Sequence, residues 1–503
     1  MPLRRRWRVT SWQGICHVLL RRPTAPSMKR SRARPLSLLA VISACHAENP
    51  VRPPPNGVDT VAMSSLTASL PLGQTAQLIA TPMDARGHVL PGRTIAWSSS
   101  DSSVAIVSTA GLASNTSGFV TSVGLGTATI SAATEGKRGT TLVSVTQPAA
   151  GVSHYVDAVA GNDTNPGTSA APWQTIQHAA DVLPPGDTAI VNDGVYTGAG
   201  NVVTIARSGA PNAWLVLRAA RPGGAVIDGR NATSTTGIEI TGSYVRVEGF
   251  DVRNTLRYGI DAELGHDVVV SQNVIHDVGR ICTDSKDGIV GVDAYDRNLV
   301  IERNVIHDIG RLGAGEQGCQ PTNTYWQNHD HAVYHGVGDN VVIRNNVFYN
   351  LVHGWAIQRF DSAGTDVNGL TIANNTFVGT NPWRPGHIIV ATATTNLLIA
   401  NNVFYNPNTA GVWFDTGSLM NTILSNNLTM GGPVSTGDSA TVAYAGNLNN
   451  TDPLFVNAAA FDFRVQAASP AIGAGLRLAI VPDDADGVAR PATVYTIGAY
   501  QYH

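Results

Sequence analysis

The stretch "VVVSQNVIHDVG" (Val268–Gly279) returns after 31 residues as "LVIERNVIHDIG" (Leu299–Gly310), with the same order of apolar, polar and turn residues. Looser copies of this unit are "VRVEGFDVRN" from 245, "VVIRNNVFYNLV" from 341, "LTIANNTFVGT" from 370, "LLIANNVFYNP" from 397 and "TILSNNLTMGG" from 422. A unit that recurs every 23 to 42 residues is typical of a solenoid, because each unit buries its apolar face only by stacking on its neighbours.

A second short strand follows most units, and it starts with a small residue and then an aliphatic one, as in Gly259-Ile260 and Ala332-Val333. Stacked coils of such strands predict an all-β chain and a parallel β-helix. One Asn recurs in six of the seven units, and we predict a structural ladder of stacked amides there rather than a ligand set. The residues of this ladder are Asn273, Asn304, Asn346, Asn375, Asn402 and Asn427.

Two further segments carry a family resemblance. "YVDAVAGNDTNPGTSAAPWQTIQHAADVLPPGDTAIVNDGVYTG" (Tyr155–Gly198) and the ending "DPLFVNAAAFDFRVQAASPAIGAG" (Asp452–Gly475) resemble secreted right-handed parallel β-helix proteins of the pectin-lyase-like superfamily. The resemblance spans residues 153–503 and implies that fold, whereas fold alone leaves the reaction open. Within it, residues 172–183 have the apolar spacing of a short helix that would cap the N-terminal end of the core.

The N-terminus predicts export. A basic stretch and a short apolar run end in Ile42-Ser43-Ala44-Cys45, which resembles a bacterial lipobox. We expect Met28 to be the true start, residues 1–45 to be an over-extended start plus a lipoprotein signal peptide, and Cys45 to be lipidated. An ordinary cleavable signal is the alternative, and it too implies secretion. The apolar run is too short to span a membrane, so we expect membrane contact only through the lipid anchor, on the outer membrane or cell surface.

Two segments separate this signal from the repeats. Residues 46–57 are rich in Pro and predict a linker. Residues 58–148 alternate apolar and polar positions, and "IAWSSSDSSVAIVSTAGLAS" (Ile95–Ser114) followed by "GLGTATISAA" (Gly124–Ala133) resembles the bacterial Ig-like group 2 domain. That resemblance implies a β-sandwich that serves as a spacer or an adhesive module.

The net charge of the chain limits the classes of partner that it can bind. Residues 1–44 hold ten of the 33 Lys and Arg and no acid, so the remaining chain carries 23 basic against 36 acidic residues. An acidic chain is a poor ligand for nucleic acid, which leaves a polysaccharide, a protein or no partner. We expect an acidic polysaccharide as the substrate and a monomeric protein.

Coil length is uneven, and the extra residues lie at one corner, between the Asn turn and the following strand. The two long insertions run from 279 to 287 and from 310 to 330. Insertions at one corner form a wall along the stack, and in repeat proteins that face is often the binding face. Cys282 and Cys319 lie in these two insertions, and in an exported protein they predict a disulfide.

Candidate catalytic residues lie on this wall and on the strand beside it, within and around "NHDHAVYHG" (328–336). A lyase needs a base for the proton α to a uronate carboxylate and a cation for that carboxylate. In the predicted mechanism, Lys286 or His331 is the base, Tyr334 or His335 is the acid, and Arg359 or Ca²⁺ holds the carboxylate. Asp330 joins them at the rim of the groove. The alternative for Lys286 is an ion pair with Asp284 or Asp287.

Aromatic rings beside polar groups favour sugar binding, because rings stack on apolar sugar faces. The predicted substrate-binding residues are Trp326, His329, His353, Gln358, Trp383, Arg384, His387 and Trp413. The alternative is that the tryptophans only pack the loops against the coils.

Three other readings stay open. Asp261, Glu263 and Asp287, with Asp284 and Asp293, would supply the oxygen ligands that Ca²⁺ prefers. A glycoside hydrolase would need two carboxylates, which Asp261, Glu263, Asp330 and Asp361 could provide. A surface protein that binds glycan without cleaving it is the third. A metal site of His329, His331 and His335 is disfavoured, because an outward Tyr334 turns His335 inward.

Overall fold

The structure is a computed structural model that describes residues 57–71, 75–108, 116–146, 151–230, 234–379, 381–415, 419–437, 441–491 and 493–503. The predicted signal peptide with Cys45, and all of the predicted linker except Gly57, lie outside these residues. Within them, no helix has the length and apolar character needed to cross a membrane.

The N-terminal part is a sandwich of two four-stranded sheets. One sheet has the order β1-β3-β6-β5 and the other β2-β8-β7-β4, and all pairs are antiparallel except β2 with β8. The strands are β1 Thr60–Met63, β2 Thr67–Pro71, β3 Thr75–Met83, β4 Ala96–Ser99, β5 Ala105–Ser108, β6 Ser117–Ser122, β7 Gly126–Thr134 and β8 Lys137–Thr146.

From β9 to β38 the chain winds through three long parallel sheets, to each of which a coil contributes a strand. Sheet I contains β9 Ser153–Val156, β10 Thr188–Val191, β13 Leu215–Ala219, β16 Val245–Glu248, β19 His266–Ser271, β22 Arg297–Glu302, β25 Val341–Arg344, β28 Val367–Ala373, β31 Thr394–Ala400, β34 Leu419–Met420, β35 Thr422–Ser425 and β38 Val442–Ala445. Sheet II contains β11 Gly194–Tyr196, β14 Ala225–Asp228, β17 Asp251–Arg253, β20 Val274–Val278, β23 Val305–Ile309, β26 Val347–Tyr349, β29 Thr376–Val378, β32 Val403–Tyr405 and β36 Leu428–Met430.

Sheet III contains β12 Gly200–Ile205, β15 Ser234–Ile240, β18 Tyr258–Ala262, β21 Ile289–Ala294, β24 Asp330–His335, β27 Ile357–Arg359, β30 Gly386–Val390, β33 Ala410–Phe414 and β37 Ser435–Gly437. Three 3₁₀ turns lie at Glu316–Gly318, Tyr325–Gln327 and Ala458–Ala460, and β39 Phe455–Asn457 pairs with β40 Asp462–Val465 as a hairpin. The predicted all-β parallel β-helix is confirmed.

Aliphatic and aromatic side chains fill the interior of the coils, and stacking continues from one coil to the next. Phe348, Phe377 and Phe404 occupy the same position in three coils, with ring centroids 4.7 and 5.2 Å apart. The N-terminal end of this core is closed by helix α1 (Ile176–Val182), whose Ile176 and Ala180 pack on it. The predicted cap is therefore present.

The Asn ladder lies in the turn between sheet I and sheet II. Each amide joins two coils: Asn304 donates from its backbone N–H to Asn346 Oδ1 over 2.9 Å and from its Nδ2 to the Val270 carbonyl over 3.0 Å. The left-handed backbone falls on the residue before each ladder Asn, for example Arg303 at φ 56° and Asn345 at φ 55°. The ladder is structural, as predicted, and the preceding residue makes the turn.

The sandwich packs directly against sheet I. Phe119 of β6 is buried with Val342, Ala373 and Leu398 of the coils, and Thr116 Oγ1 donates to Asn396 Oδ1 over 2.7 Å. Apolar burial at this contact holds the sandwich on sheet I, which is a different face of the coil from sheet III.

Candidate functional site

The outer face of sheet III carries one continuous column of side chains, all of which are polar or aromatic except one isoleucine. Its members are paired in register from coil to coil and are Glu239, Asp261, Asp293, Tyr334, Gln358, Ile389 and Trp413. Neighbouring strands lie about 4.8 Å apart, so adjacent members touch. We name this set the central column. The predicted outward orientation of Tyr334 agrees with it, and the predicted substrate-binding residues Gln358 and Trp413 are members of it.

Strand alternation breaks at the start of each sheet III strand. Ala332 and Val333 both lie in the interior cluster, and a Cβ on Gly291, which occupies the place of Ala332 in the previous coil, would lie 3.2 Å from Ile306 Cγ2. Two consecutive inward residues make the corner, so only a small residue fits at the first place. As a result His331, one residue earlier, turns to the outer side, where its ring lies 5.7 Å from that of Tyr334.

A wall of loops borders the column at the corner where the coils enter sheet III. The disulfide between Cys282 and Cys319, with Cα atoms 5.5 Å apart, joins the two long insertions as predicted. Arg280 reinforces the link, because it donates to the Gly310 carbonyl over 3.0 Å and pairs with Glu316. The wall is therefore a fixed border of the column and not a loose loop.

Two carboxyl groups at the N-terminal part of the column are strongly perturbed. Asp261 and Asp293 are 8% and 6% exposed, and each has one Oδ1 with no hydrogen-bond partner among the described residues. The pKa of Asp261 is raised to about 7. Burial is the largest cause, and the charges of Glu263 and Glu239 add to it. Burial and the charge of Asp261 raise the pKa of Asp293 well above its usual range. A carboxyl pair of this kind can hold and exchange protons near neutral pH.

Three tyrosines surround this pair. Tyr295 and Tyr334 stack with centroids 6.1 Å apart, and burial raises the pKa of both, so both stay protonated at neutral pH. Tyr258 lies under the guanidinium of Arg257, whose Cζ is 4.8 Å from the ring centroid. A Cβ on Gly336 would lie 2.3 Å from Tyr295 Cζ, so glycine at 336 makes room for that ring.

His331 is a hydrogen-bond donor rather than the base that the sequence predicted. Its Nδ1 accepts from the backbone N–H of Trp355 over 3.1 Å, which leaves the ring proton on Nε2. Burial, then His329 and Arg384, lower its pKa to about 3. A neutral ring with Nε2–H on the outer side can bind a substrate oxygen but does not take up a proton.

Asp330 and Arg359 do not reach the groove, contrary to prediction. Asp330 is fully buried and forms a two-pronged ion pair with Arg311, with Nη2 to Oδ1 at 2.7 Å and Nε to Oδ2 at 2.9 Å. Arg359 points inward, and its guanidinium donates to the carbonyls of Gly336, Thr365 and Ala393. Both residues are structural. Asp330 is held in its ion pair with Arg311, and the alternation of the strand turns Arg359 inward because Gln358 faces outward.

Lys286 lies at the exposed tip of the first insertion, between Asp284 and Asp287. No ion pair to a described carboxylate forms there, so the predicted alternative is not seen. Asp284 instead accepts from the backbone and hydroxyl of Thr322, and Asp287 accepts from Ser285 Oγ. Arg311 pins this loop through the carbonyls of Ser285 and Asp287. Lys286 is therefore a wall residue, whereas the perturbed carboxyl pair is on the sheet.

The proposed calcium ligands do not converge. Asp261 and Glu263 belong to the column and its edge, whereas Asp287 is on the exposed loop tip, bonded to Ser285. Across the described ranges, no group of three or more His, Cys, Asp or Glu side chains is arranged to hold a metal ion.

Of the predicted sugar-binding residues, some line the groove and some support it. Trp326 and His353 are buried and pack edge-on, and Trp383 lies edge-on against Trp326 while 44% exposed. Arg384 donates to Asn328 Oδ1 over 2.9 Å beside His329. His387 lies within the core between Phe377 and Phe404, so its predicted binding role is wrong. His335 is also fully buried, and its Nδ1–H donates to the Ala294 carbonyl over 3.0 Å.

Four residues of the site were missed or given another role from sequence. The sequence patterns indicate Asp293 only as a calcium ligand and give no role to Arg257, Tyr258 or Tyr295. The signal that would have found them is the recurrence of "YGIDA" at 258, "VGVDAY" at 290 and "HAVYHG" at 331, read as aligned rows. The acidic or phenolic residue then falls at one place in three successive coils.

Two family models match the chain. One is described as Pel9A-like, right handed beta helix region, and matches residues 154–318; the other, right handed beta helix region, matches residues 314–461. A search of curated proteins gives no significant match.

Among solved structures, pectate lyase Pel9A is 16% identical, with 70% of this chain and 96% of that chain covered and a TM-score of 0.47. The alginate lyase from Paenibacillus sp. str. FPU-7 is 16% identical, with 59% and 95% covered and a TM-score of 0.39. XylC in complex with xylose is 10% identical, with 70% and 98% covered and a TM-score of 0.41. The three stacked parallel sheets and the two matching family models together establish that this chain is an all-β, right-handed parallel β-helix protein.

Proposed function

We propose that this protein is a polysaccharide lyase that cleaves a uronate-containing polysaccharide by β-elimination on the outer face of sheet III. The observation that carries the proposal is the Asp261–Asp293 pair, with one carboxyl near neutral pKa, next to the protonated phenol of Tyr334 in the same column. Elimination needs a base and an acid on one face of a sugar, and these three side chains provide both.

In this mechanism one carboxylate of the Asp261–Asp293 pair takes the proton from C5 of the uronate. The electrons of that C–H bond form the C4=C5 double bond, the C4–O bond breaks, and Tyr334 gives its phenolic proton to the departing oxygen. Solvent then returns a proton to Tyr334 and removes one from the carboxyl pair. Atoms and charge balance without a further reactant.

The uronate carboxylate needs a cation in the transition state. Arg257 is on the same coil as Asp261, and its charge lowers the pKa of both carboxyl groups, so it lies within electrostatic reach of the pair. Its Nε makes no hydrogen bond within the described part of the chain. Arg257 therefore holds the uronate carboxylate, the role that the sequence gave to Arg359. The Nε2–H of His331 is a second hydrogen-bond donor to that carboxylate.

Hydrolysis is the second candidate, favoured by the spacing of the same two carboxyl groups. Asp261 and Asp293 lie on paired strands about 4.8 Å apart, and the two carboxyls of retaining glycosidases are about 5 Å apart. In that case the protonated member gives its proton to the departing glycosidic oxygen while the ionised member attacks the sugar. Water then replaces that carboxylate on the sugar and gives a proton back to the first member.

A panel of polysaccharides separates these proposals. The purified protein is incubated with pectate, alginate, glucuronan, hyaluronan and neutral glycans, and both near-ultraviolet absorbance and new reducing ends are followed. A lyase raises both signals on a uronate polymer, whereas a hydrolase raises reducing ends alone. Binding without either signal would overturn both enzymatic proposals in favour of a glycan-binding protein. Parallel reactions with Ca²⁺ and with a chelator test whether Ca²⁺ or Arg257 holds the uronate carboxylate.

A further inference from the structure

The two ends of the central column differ in charge. From Glu239 to Asp293 the outward side chains are carboxyl groups, and Glu263 at the strand end adds a fourth. From Gln358 to Trp413 the column carries an amide, an aliphatic and an aromatic side chain. Tyr334 marks the boundary between them.

Among the residues that the structure describes, Arg257 is the cation that acts on the buried acids of this end. Glu239 accepts hydrogen bonds from Asn201 Nδ2 over 2.8 Å and Thr204 Oγ1 over 3.0 Å, both of which are neutral donors. Asp261 and Asp293 are more than nine-tenths buried with unpartnered Oδ1 atoms on the outer side. The charge of Arg257 acts on Asp261 and on Asp293, and Lys286 on the wall is flanked by Asp284 and Asp287.

The opposite end suits an anionic sugar. Arg384 is on the wall beside these coils, and the charge it places there lowers the pKa of His329 and of His331. Within the described ranges, Arg384 forms no ion pair with an acid. Its Nη1 donates to the neutral amide of Asn328. Trp383 is half-exposed next to it.

We infer that the sugar bound over the acidic end of the column, next to the uronate that reacts, carries no carboxylate, so that the substrate is a polysaccharide in which uronates alternate with uncharged sugars rather than a polymer of uronates alone. The inference rests on the proposed function. Arg257 compensates the carboxylate of the reacting uronate, and a second carboxylate over Glu239 and Glu263 would meet like charges without a partner.

The test compares hyaluronan, in which uronate alternates with an N-acetylated amino sugar, with polygalacturonate and alginate as homopolymers of uronates. Initial rates are read from near-ultraviolet absorbance at equal uronate concentration and low salt, with chelator present. We expect kcat/KM to be at least about tenfold higher on the alternating polymer, as one unfavourable charge contact of about 1.4 kcal/mol requires. A homopolymer that is cleaved as well or better, with chelator or with added Ca²⁺, overturns the inference and leaves the lyase intact. Absorbance on no polymer at all overturns the proposed function instead.

A pair of variants gives an independent readout. Glu239→Gln together with Glu263→Gln removes two negative charges while keeping the amide able to accept from Asn201 and Thr204. We expect this variant to gain rate on polygalacturonate relative to hyaluronan and to lose its salt dependence on that polymer. The matched control is Asp486→Asn, an acid that pairs with Arg464 in the C-terminal segment away from sheet III. An equal shift in both variants, or no shift in the first, contradicts the inference.

Discussion

Asp330 and Arg311 form a fully buried ion pair that contacts the wall. The carboxylate accepts the backbone N–H of Arg311 over 2.9 Å as well as its guanidinium, and Arg311 in turn holds the loop of Lys286. Asp330→Asn leaves a buried guanidinium without its counter-charge, which costs roughly 3–5 kcal/mol of the free energy of unfolding. Urea unfolding measures this.

The control for that experiment is the exposed pair Arg221–Asp193. Asp193→Asn removes an ion pair that water screens, so we expect the urea midpoint to stay within error. Equal effects of the two substitutions would show that Asp330 has no special place in the structure.

The raised pKa of Asp261 predicts a pH dependence of stability with a definite sign. Between the pKa of an unfolded Asp near 4 and the folded value of about 7, the folded state holds a proton that the unfolded state has lost. Stability therefore falls as pH rises through this window, by up to about 1.4 kcal/mol per pH unit for this group. Asp261→Asn removes the titration, so its urea midpoint should fall less between pH 5 and pH 8. A wild-type midpoint that rises over the same range would contradict the assignment.

At the scale of the turn, the Asn ladder stabilises coil stacking through bonds that no neighbouring residue can replace. Asn346 is fully buried, donates from Nδ2 to the Ile301 carbonyl over 2.9 Å, and accepts from Asn304 at two nitrogens. Asn346→Ala leaves these groups unpaired and should lower the free energy of unfolding by roughly 2–4 kcal/mol, since each orphaned buried group costs about 1–3 kcal/mol.

Asn447 continues the ladder at its C-terminal end and is half-buried. Asn447→Ala is therefore the matched control, and we expect a smaller loss because solvent reaches the groups that it leaves unpaired. A larger loss at Asn447 than at Asn346 would refute the account of the ladder.

The elements of sheet III show how far sequence reasoning reaches. The period-two alternation of the strand correctly predicts that Tyr334 faces outward and His335 inward. It did not show the corner, where Ala332 and Val333 both face inward and His331 turns out. The small residues at that corner are visible in the sequence, but their reason is the neighbouring coil, which leaves no room for a larger side chain.

For the whole molecule, repeats predicted the stacked coils because each coil meets only its neighbours. Contacts that the repeat does not dictate were not predictable: Asp330 pairs with Arg311 at the other end of the same insertion, and Thr116 of the sandwich bonds Asn396, which is 280 residues away. The disulfide was predictable because two cysteines in equivalent insertions leave one pairing. The raised pKa values of the Asp261–Asp293 pair were not predictable, because they arise from burial and not from residue type.

The docked sandwich gives a prediction at this scale. Phe119 is buried against sheet I with Leu398 and Val342. Phe119→Ala should cost roughly 3–5 kcal/mol and separate thermal unfolding into two transitions, one for the sandwich and one for the coils. Calorimetry checks this, and a single transition at an unchanged temperature would show that the contact does not couple the two parts.

The central claim is that the outer face of sheet III performs the chemistry, and Asp293→Asn tests it most directly. On a polymer that the wild-type protein cleaves, the variant and the sheet I control Asp267→Asn are compared by the rate of unsaturated product formation, after circular dichroism shows all three folded. The account predicts that Asp293→Asn loses about 10²- to 10⁴-fold in rate while Asp267→Asn keeps the wild-type rate. A folded Asp293→Asn variant with the wild-type rate would contradict it.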